Sequence, residues 1–216
     1  MDISFFVLGI IGFAFAVIVH EVAHGFLADK LGDPTARLLG RLTLNPIPHI
    51  DIYGTIIVPL LLFLFNSPFL FGWAKPVPVD PYNLKNPKKD SAIISLAGPA
   101  ANIVFAIALS FSLRILLKIF PSAPFFGLFY NLIGINIVLA IFNLLPIYPL
   151  DGEKILVGIL PEKSARKFSA FMSRYGYILL FLMVFPLFGN SSLIFPIINP
   201  VIDFLLRILI PGYAKI

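Results

Sequence analysis

Residues 3–19 carry no charge, and apolar character resumes at Val22 and runs to Ala28. At 1.5 Å per residue a helix over 3–28 is long enough to cross a hydrocarbon core of about 30 Å. Asp29-Lys30 and then Gly32-Asp33-Pro34 supply a helix stop and a turn. Four further apolar runs, 91–113, 125–150, 175–185 and 193–210, read as spans in the same way, which makes about five. The segment 54–65 is apolar too, but Pro59 interrupts it and Asn66-Ser67-Pro68 closes it after about a dozen residues, short for a crossing. Between the first span and this segment, ARLLGRLTL at 36–44 is short and partly alternating, and it predicts a small β-strand or hairpin at the membrane surface. The stretch 72–90 is too rich in proline for a regular helix. A basic amphipathic stretch occupies 162–174, and 186–192 reads as a turn. The pattern as a whole predicts an all-α polytopic membrane protein with a re-entrant segment and one small β element.

Composition agrees. With 59% hydrophobic residues, 12% charged and a mean hydropathy of +0.96, 216 residues do not supply the polar surface of a soluble globule. The absence of cysteine excludes disulfides and thiolate metal sites. The net charge of +5 resides in loops that flank apolar runs, so it reports topology in a lipid bilayer and not nucleic-acid binding.

Chemistry enters inside the first apolar run, as His20-Glu21-Val22-Ala23-His24. On a helix, residues four apart lie about 40° apart around the axis, so both imidazoles can reach one metal ion. Glu21 lies about 100° from His20 and about 60° from His24, beside the metal face, where a general base for an activated water belongs. Two of only three histidines and a carboxylate at bilayer depth are costly unless they coordinate something or line a wet cavity. A catalytic zinc takes three protein ligands and keeps one position open, so a third ligand must come from elsewhere. Asp151 stands out among the acids because it ends an apolar run, although a turn or N-cap residue before Gly152 would look the same. His49, in a loop after Pro46 and Pro48, reads as a surface or supporting residue.

Topology bears on segment 54–65. If it crosses, the His20/His24 helix and the helix before Asp151 are first and fourth and end on opposite sides; if it dips and returns, they run the same way. Dipping also gathers fourteen of the sixteen Lys and Arg on one side, leaving Arg114 and Lys118 opposite, where full alternation divides them eleven to five. The positive-inside rule then turns the large loops, and the metal, toward the cytoplasm.

HEVAHG at 20–25, GPAAN at 98–102 and NLLPIYPLDG at 143–152, in this order, resemble the three signatures of the site-2 protease family of intramembrane zinc metalloproteases. GWAKPVPVDPYNLKNP is similar to a compact branch without PDZ or CBS domains. The resemblance covers about residues 8–160. It implies a catalytic core over 1–160, with 161–216 as accessory transmembrane helices of the same domain. It implies one Zn2+ held by His20, His24 and Asp151, Glu21 as catalytic base, and Asn102 and Asn143 as hydrogen-bonding residues around site and substrate. The expected reaction is hydrolysis of a peptide bond within or near a transmembrane segment of a membrane-anchored substrate, as in regulated intramembrane proteolysis. The 36–44 strand could then pair with an extended substrate by edge addition. A prenyl-protein type of peptidase would take a glutamate as third ligand, but Glu153 and Glu162 lie in basic loops. A metal transporter or an inactive homologue is the alternative; spans such as 103–113 carry almost none of the polar groups a transport route needs, and all four chemical residues are present.

Overall fold

The computed structural model describes residues 3–64, 73–120, 126–185 and 192–212. Eight α-helices occur among them: α1 (Ile3–Leu31), α2 (Thr35–Leu38), α3 (Val58–Leu64), α4 (Pro87–Ile119), α5 (Phe126–Asn143), α6 (Asp151–Ile159), α7 (Glu162–Val184) and α8 (Phe195–Leu209). Helix α1 stops where Gly32 takes φ +114, a left-handed conformation that glycine adopts without steric cost. Its amide bonds to Asp29 O and the Asp33 amide to Ala28 O, satisfying the last carbonyls in a Schellman arrangement.

Helix α4 is the hub. Proline at its first position is pre-set for helix, and a buried stripe runs its whole length through Asp90, Ile94, Ser95, Gly98, Asn102, Ala106, Ser110 and Leu113. Helices α1, α5 and α6 pack on that stripe, and α8 packs mainly on α5. The largest apolar core lies between α4, α5 and α8, around Leu113, Ile133, Ile137, Ile198, Ile202 and Leu206. Small residues bring helices close where lipid gives little hydrophobic drive: a Cβ on Gly158 would stand 2.2 Å from Ala92 Cβ.

Among the described residues three helices are long and apolar enough to cross a membrane: Leu8–Leu31, Pro87–Ile119 and Phe126–Asn143. The two further spans expected from the pattern become α7, whose first half is strongly basic, and α8, which has 15 residues. The run 125–150 stops being helical at Asn143, as Pro146 and Pro149 require, and the Tyr148–Pro149 bond is cis.

The β element expected over 36–44 does not form, and no strand occurs among the described residues. Asp33 Oδ1 accepts the Thr35 amide and starts α2, Ala36 is fully buried, and Gly40 at φ +65 ends the turn. The alternation of 36–44 therefore finds no partner strand. The excursion after residue 51 does return on itself. A π-helical turn (Ile52–Ile57) leads into α3, and at 73–75 the chain is back beside its starting point. Lys75 N donates to His49 O at 2.9 Å, Trp73 N to Gly54 O at 3.1 Å, and Thr55 Oγ1 to Trp73 O at 2.9 Å. These bonds tie the two ends of the 51–75 excursion together; the rest of the expected re-entrant segment, 65–72, and the turn expected at 186–192 fall largely outside the described residues.

One charge changes side. Arg114 Nη2 donates to Ile208 O at 2.7 Å, so Arg207 stands at the Arg114 end of the molecule and not with the large loops. Arg207 joins Arg114 and Lys118, Lys215 is not described, and twelve of the fourteen basic residues first grouped together remain.

Candidate metal centre and active site

His20 and His24 stand one turn apart on α1, both buried, with ring centroids 4.6 Å apart and planes at 86°. Asp151 is the first residue of α6, after the 144–150 turn has folded the chain back; Leu150, not Asp151, is the N-cap. Asp151 Oδ2 lies 3.0 Å from His20 Nε2 and 3.2 Å from His24 Nε2. These three residues form the described group of His and acid side chains that could hold a metal ion.

The tautomers follow from the other ring nitrogens. His20 Nδ1 faces Asn102 Oδ1 at 2.7 Å and His24 Nδ1 faces Ile94 O at 2.7 Å. Both partners are acceptors, so both Nδ1 atoms carry the proton and donate it. With Nδ1 donating elsewhere, each ring turns Nε2 toward the Asp151 carboxylate, and a cation among the three would satisfy that convergence. Tetrahedral zinc with bonds near 2.0–2.2 Å separates its ligand atoms by about 3.4 Å, close to what is seen. The donor set therefore fits zinc. Gly98 makes room for it: a Cβ there would come 2.4 Å from His24 Nε2 and 2.6 Å from His20 Nε2.

Asn102 is wholly buried and fully used. Its Nδ2 donates to Ala16 O at 3.0 Å and to Asn136 Oδ1 at 2.8 Å, and Asn136 Nδ2 donates in turn to Leu132 O. The chain of bonds fixes which way the Asn102 amide faces and hence the tautomer of His20. Asn136 escaped the sequence reading; its signal was a polar residue within an apolar span, seven residues before Asn143. Asn143 donates its Nδ2 to Leu139 O on its own helix. His49 is not a surface residue: it is 2% exposed, and its Nε2 donates to Thr43 O at 2.9 Å, so it braces the loop and lies outside the metal-binding group. Glu21 is partly exposed, and its Oε2 accepts the Val77 amide at 2.8 Å.

The description Peptidase family M50 matches residues 8–122 and 119–185 of this chain. The chain belongs to peptidase family M50. Among its relatives, YwhC of Bacillus subtilis is 37% identical over 197 residues, 88% of this chain and 85% of the relative. Rip2 of Mycolicibacterium smegmatis is 31% identical over 151 residues, 69% of this chain and 56% of the relative. MJ0392 of Methanocaldococcus jannaschii, named a zinc metalloprotease, is 27% identical over 149 residues, 68% of this chain and 33% of the relative. No solved structure matches the chain. As an M50 member with three helices able to span a bilayer, the protein is an integral membrane protein.

Proposed function

We propose that this M50 peptidase is an intramembrane zinc metalloprotease that hydrolyses peptide bonds within or near transmembrane segments of membrane-anchored proteins. The observation that carries the reading is the approach of Asp151 Oδ2 to 3.0 Å from His20 Nε2 and 3.2 Å from His24 Nε2, beside Glu21, on helices of a membrane protein. His20, His24 and Asp151 are the metal ligands. A bound zinc ion supplies the Lewis acidity that activates water and polarises the scissile carbonyl.

The chain's own residues do the rest. Asn102, held by Asn136, and the Ile94 carbonyl keep both imidazoles in the Nδ1–H tautomer and aim Nε2 at the site. Glu21 takes a proton from the attacking water and hands it to the leaving amine, so that hydroxyl ends on the new carboxyl carbon and hydrogen on the new amine. Helix α4, open at Gly98, walls the site opposite the ligands. A substrate helix hides its carbonyls in its own hydrogen bonds and must unwind to present one. The loops and helix ends that carry most of the Lys and Arg, and with them the site, face the cytoplasm. The catalytic core occupies 1–160, and 161–216 supplies accessory helices.

The test compares wild type, Glu21→Gln and Asp151→Ala for zinc content and cleavage of a transmembrane substrate in detergent. Wild type is expected to hold one zinc and cleave. Glu21→Gln should keep zinc and lose about 10²–10⁴ in kcat, the range of a general acid–base group. Asp151→Ala should lose zinc. Equal zinc in all three with no cleavage would overturn the assignment.

A further inference from the structure

Residues 73–80 cross over α1 as an extended strap, Trp-Ala-Lys-Pro-Val-Pro-Val-Asp. It is fastened at both ends by buried charged side chains. Arg41, 8% exposed, donates from Nη2 to Lys75 O at 2.8 Å and to Pro76 O at 3.3 Å. Asp33, 0% exposed, accepts the Asp80 amide at 2.7 Å and Asn83 Nδ2 at 2.8 Å. Lys75 N adds its bond to His49 O, and two prolines stiffen the span between the fastenings. In the middle, the Val77 side chain is buried against α1. Gly25, next to His24, is what admits it, since a Cβ at 25 would lie 2.6 Å from Val77 Cγ1. Val77 sits between Pro76 and Pro78, so its amide is the one main-chain donor over 76–78, and it points at Glu21 Oε2, 2.8 Å away.

We propose that the main-chain N–H of Val77 is a positioning group for the catalytic carboxylate. It occupies Oε2 of Glu21 and so reserves Oε1 for the proton that passes from water to the leaving amine. The inference rests on Glu21 being the base. The physical reason is orientation: a glutamate on a helix has several rotamers, and a fixed charge-assisted hydrogen bond selects one without spending the second oxygen. Because both fastenings are buried and neither end is free, the strap is a fixed wall of the site, and Arg41 and Asp33 serve catalysis through it.

Two experiments on the full-length protein in detergent test this. The first follows hydrogen exchange at the Val77 amide in wild type, Glu21→Gln and Glu21→Ala. Protection is expected in wild type and in Glu21→Gln, whose amide oxygen still accepts. Exchange in Glu21→Ala should be about tenfold faster or more, corresponding to loss of about 1.4 kcal/mol or more from a bond to a charged group. The Lys75 amide, bonded to His49 O, should keep its wild-type rate. Unchanged protection of Val77 in Glu21→Ala overturns the proposal.

The second compares Val77→Pro, which removes the N–H from a segment already flanked by prolines, with Val77→Ala, which keeps the N–H and removes the side chain. With zinc content equal, Val77→Pro should have a kcat about tenfold or more below Val77→Ala, a fraction of the roughly hundredfold cost of a 1 Å misplacement. KM should differ by no more than about twofold between the two, because the group acts on the base and not on substrate binding. Equal kcat in the two variants, or a difference carried by KM, overturns the proposal. If Val77→Pro does not fold, the exchange result decides alone. Failure of the protease reading would show separately, as wild type without zinc or cleavage.

Discussion

Gly98 illustrates how much of the site is set by what a residue lacks. Its missing Cβ is the space into which both Nε2 atoms turn, and a methyl there would sit at 2.4–2.6 Å, where carbon contacts prefer about 3.5–4.0 Å. Gly98→Ala must push α4 away from α1 or rotate the imidazoles. Its zinc affinity should fall by about 10–100-fold, the range for disturbed ligand support, with the helices intact. Competition with a chelator measures this, and wild-type affinity would refute the packing account. The candidate metal pair was legible in the sequence, because His20 and His24 four residues apart on an apolar helix stand on one face and can reach one ion. Asp151 was legible only with its surrounding NLLPIYPLDG, since a lone acid before glycine is equally a turn. Asn136 and the Val77 amide were not legible: one is a hydrogen-bond partner defined by tertiary approach of α4 and α5, the other a backbone atom with no side-chain signature.

Among the elements, the strap and the turn after α1 show where local reading fails. The alternation in 36–44 looked like strand, but Asp33 captures the Thr35 amide and hydroxyl and folds the segment into α2 before any pairing. The proposed pairing of that stretch with substrate falls with it. Asp33 also controls the strap. Burial disfavours its charge, yet hydrogen bonds from Thr35, Asn83 and the Asp80 amide outweigh burial and hold its carboxyl below the usual carboxylate range. A carboxyl whose folded pKa is lowered contributes stability that is complete above its unfolded value, near 3.9, and lost as pH falls through the folded value. Hydrogen exchange over 75–83 should therefore quicken in wild type as pH drops below about 4, after correction for intrinsic rates. In Asp33→Asn it should be fast already near neutrality and show little of that acid step. An acid step of equal size in both proteins would contradict the role given to Asp33.

For the molecule as a whole, the apolar pattern correctly announced a helical membrane protein, and the first three expected spans along the chain became α1, α4 and α5. Length alone could not say that 125–150 breaks at Asn143 to bring Asp151 back to α1, nor that α7 begins as a basic helix and α8 runs for only 15 residues. In the charge argument for topology Arg207 moves to the Arg114 end, and the side on which the site opens stays part of the proposal. The burial of His20 and His24 on a helix able to cross the membrane suits the proposed cleavage of a bond in or near the membrane. The most direct measurement is mass-spectrometric mapping of products when a single-span substrate is incubated with the zinc-loaded protein in proteoliposomes, beside Glu21→Gln. New termini within or next to the apolar segment, present with wild type and absent with the variant, are expected. Cleavage confined to soluble loops, equal cleavage by Glu21→Gln, or no cleavage by zinc-loaded wild type would contradict an intramembrane protease.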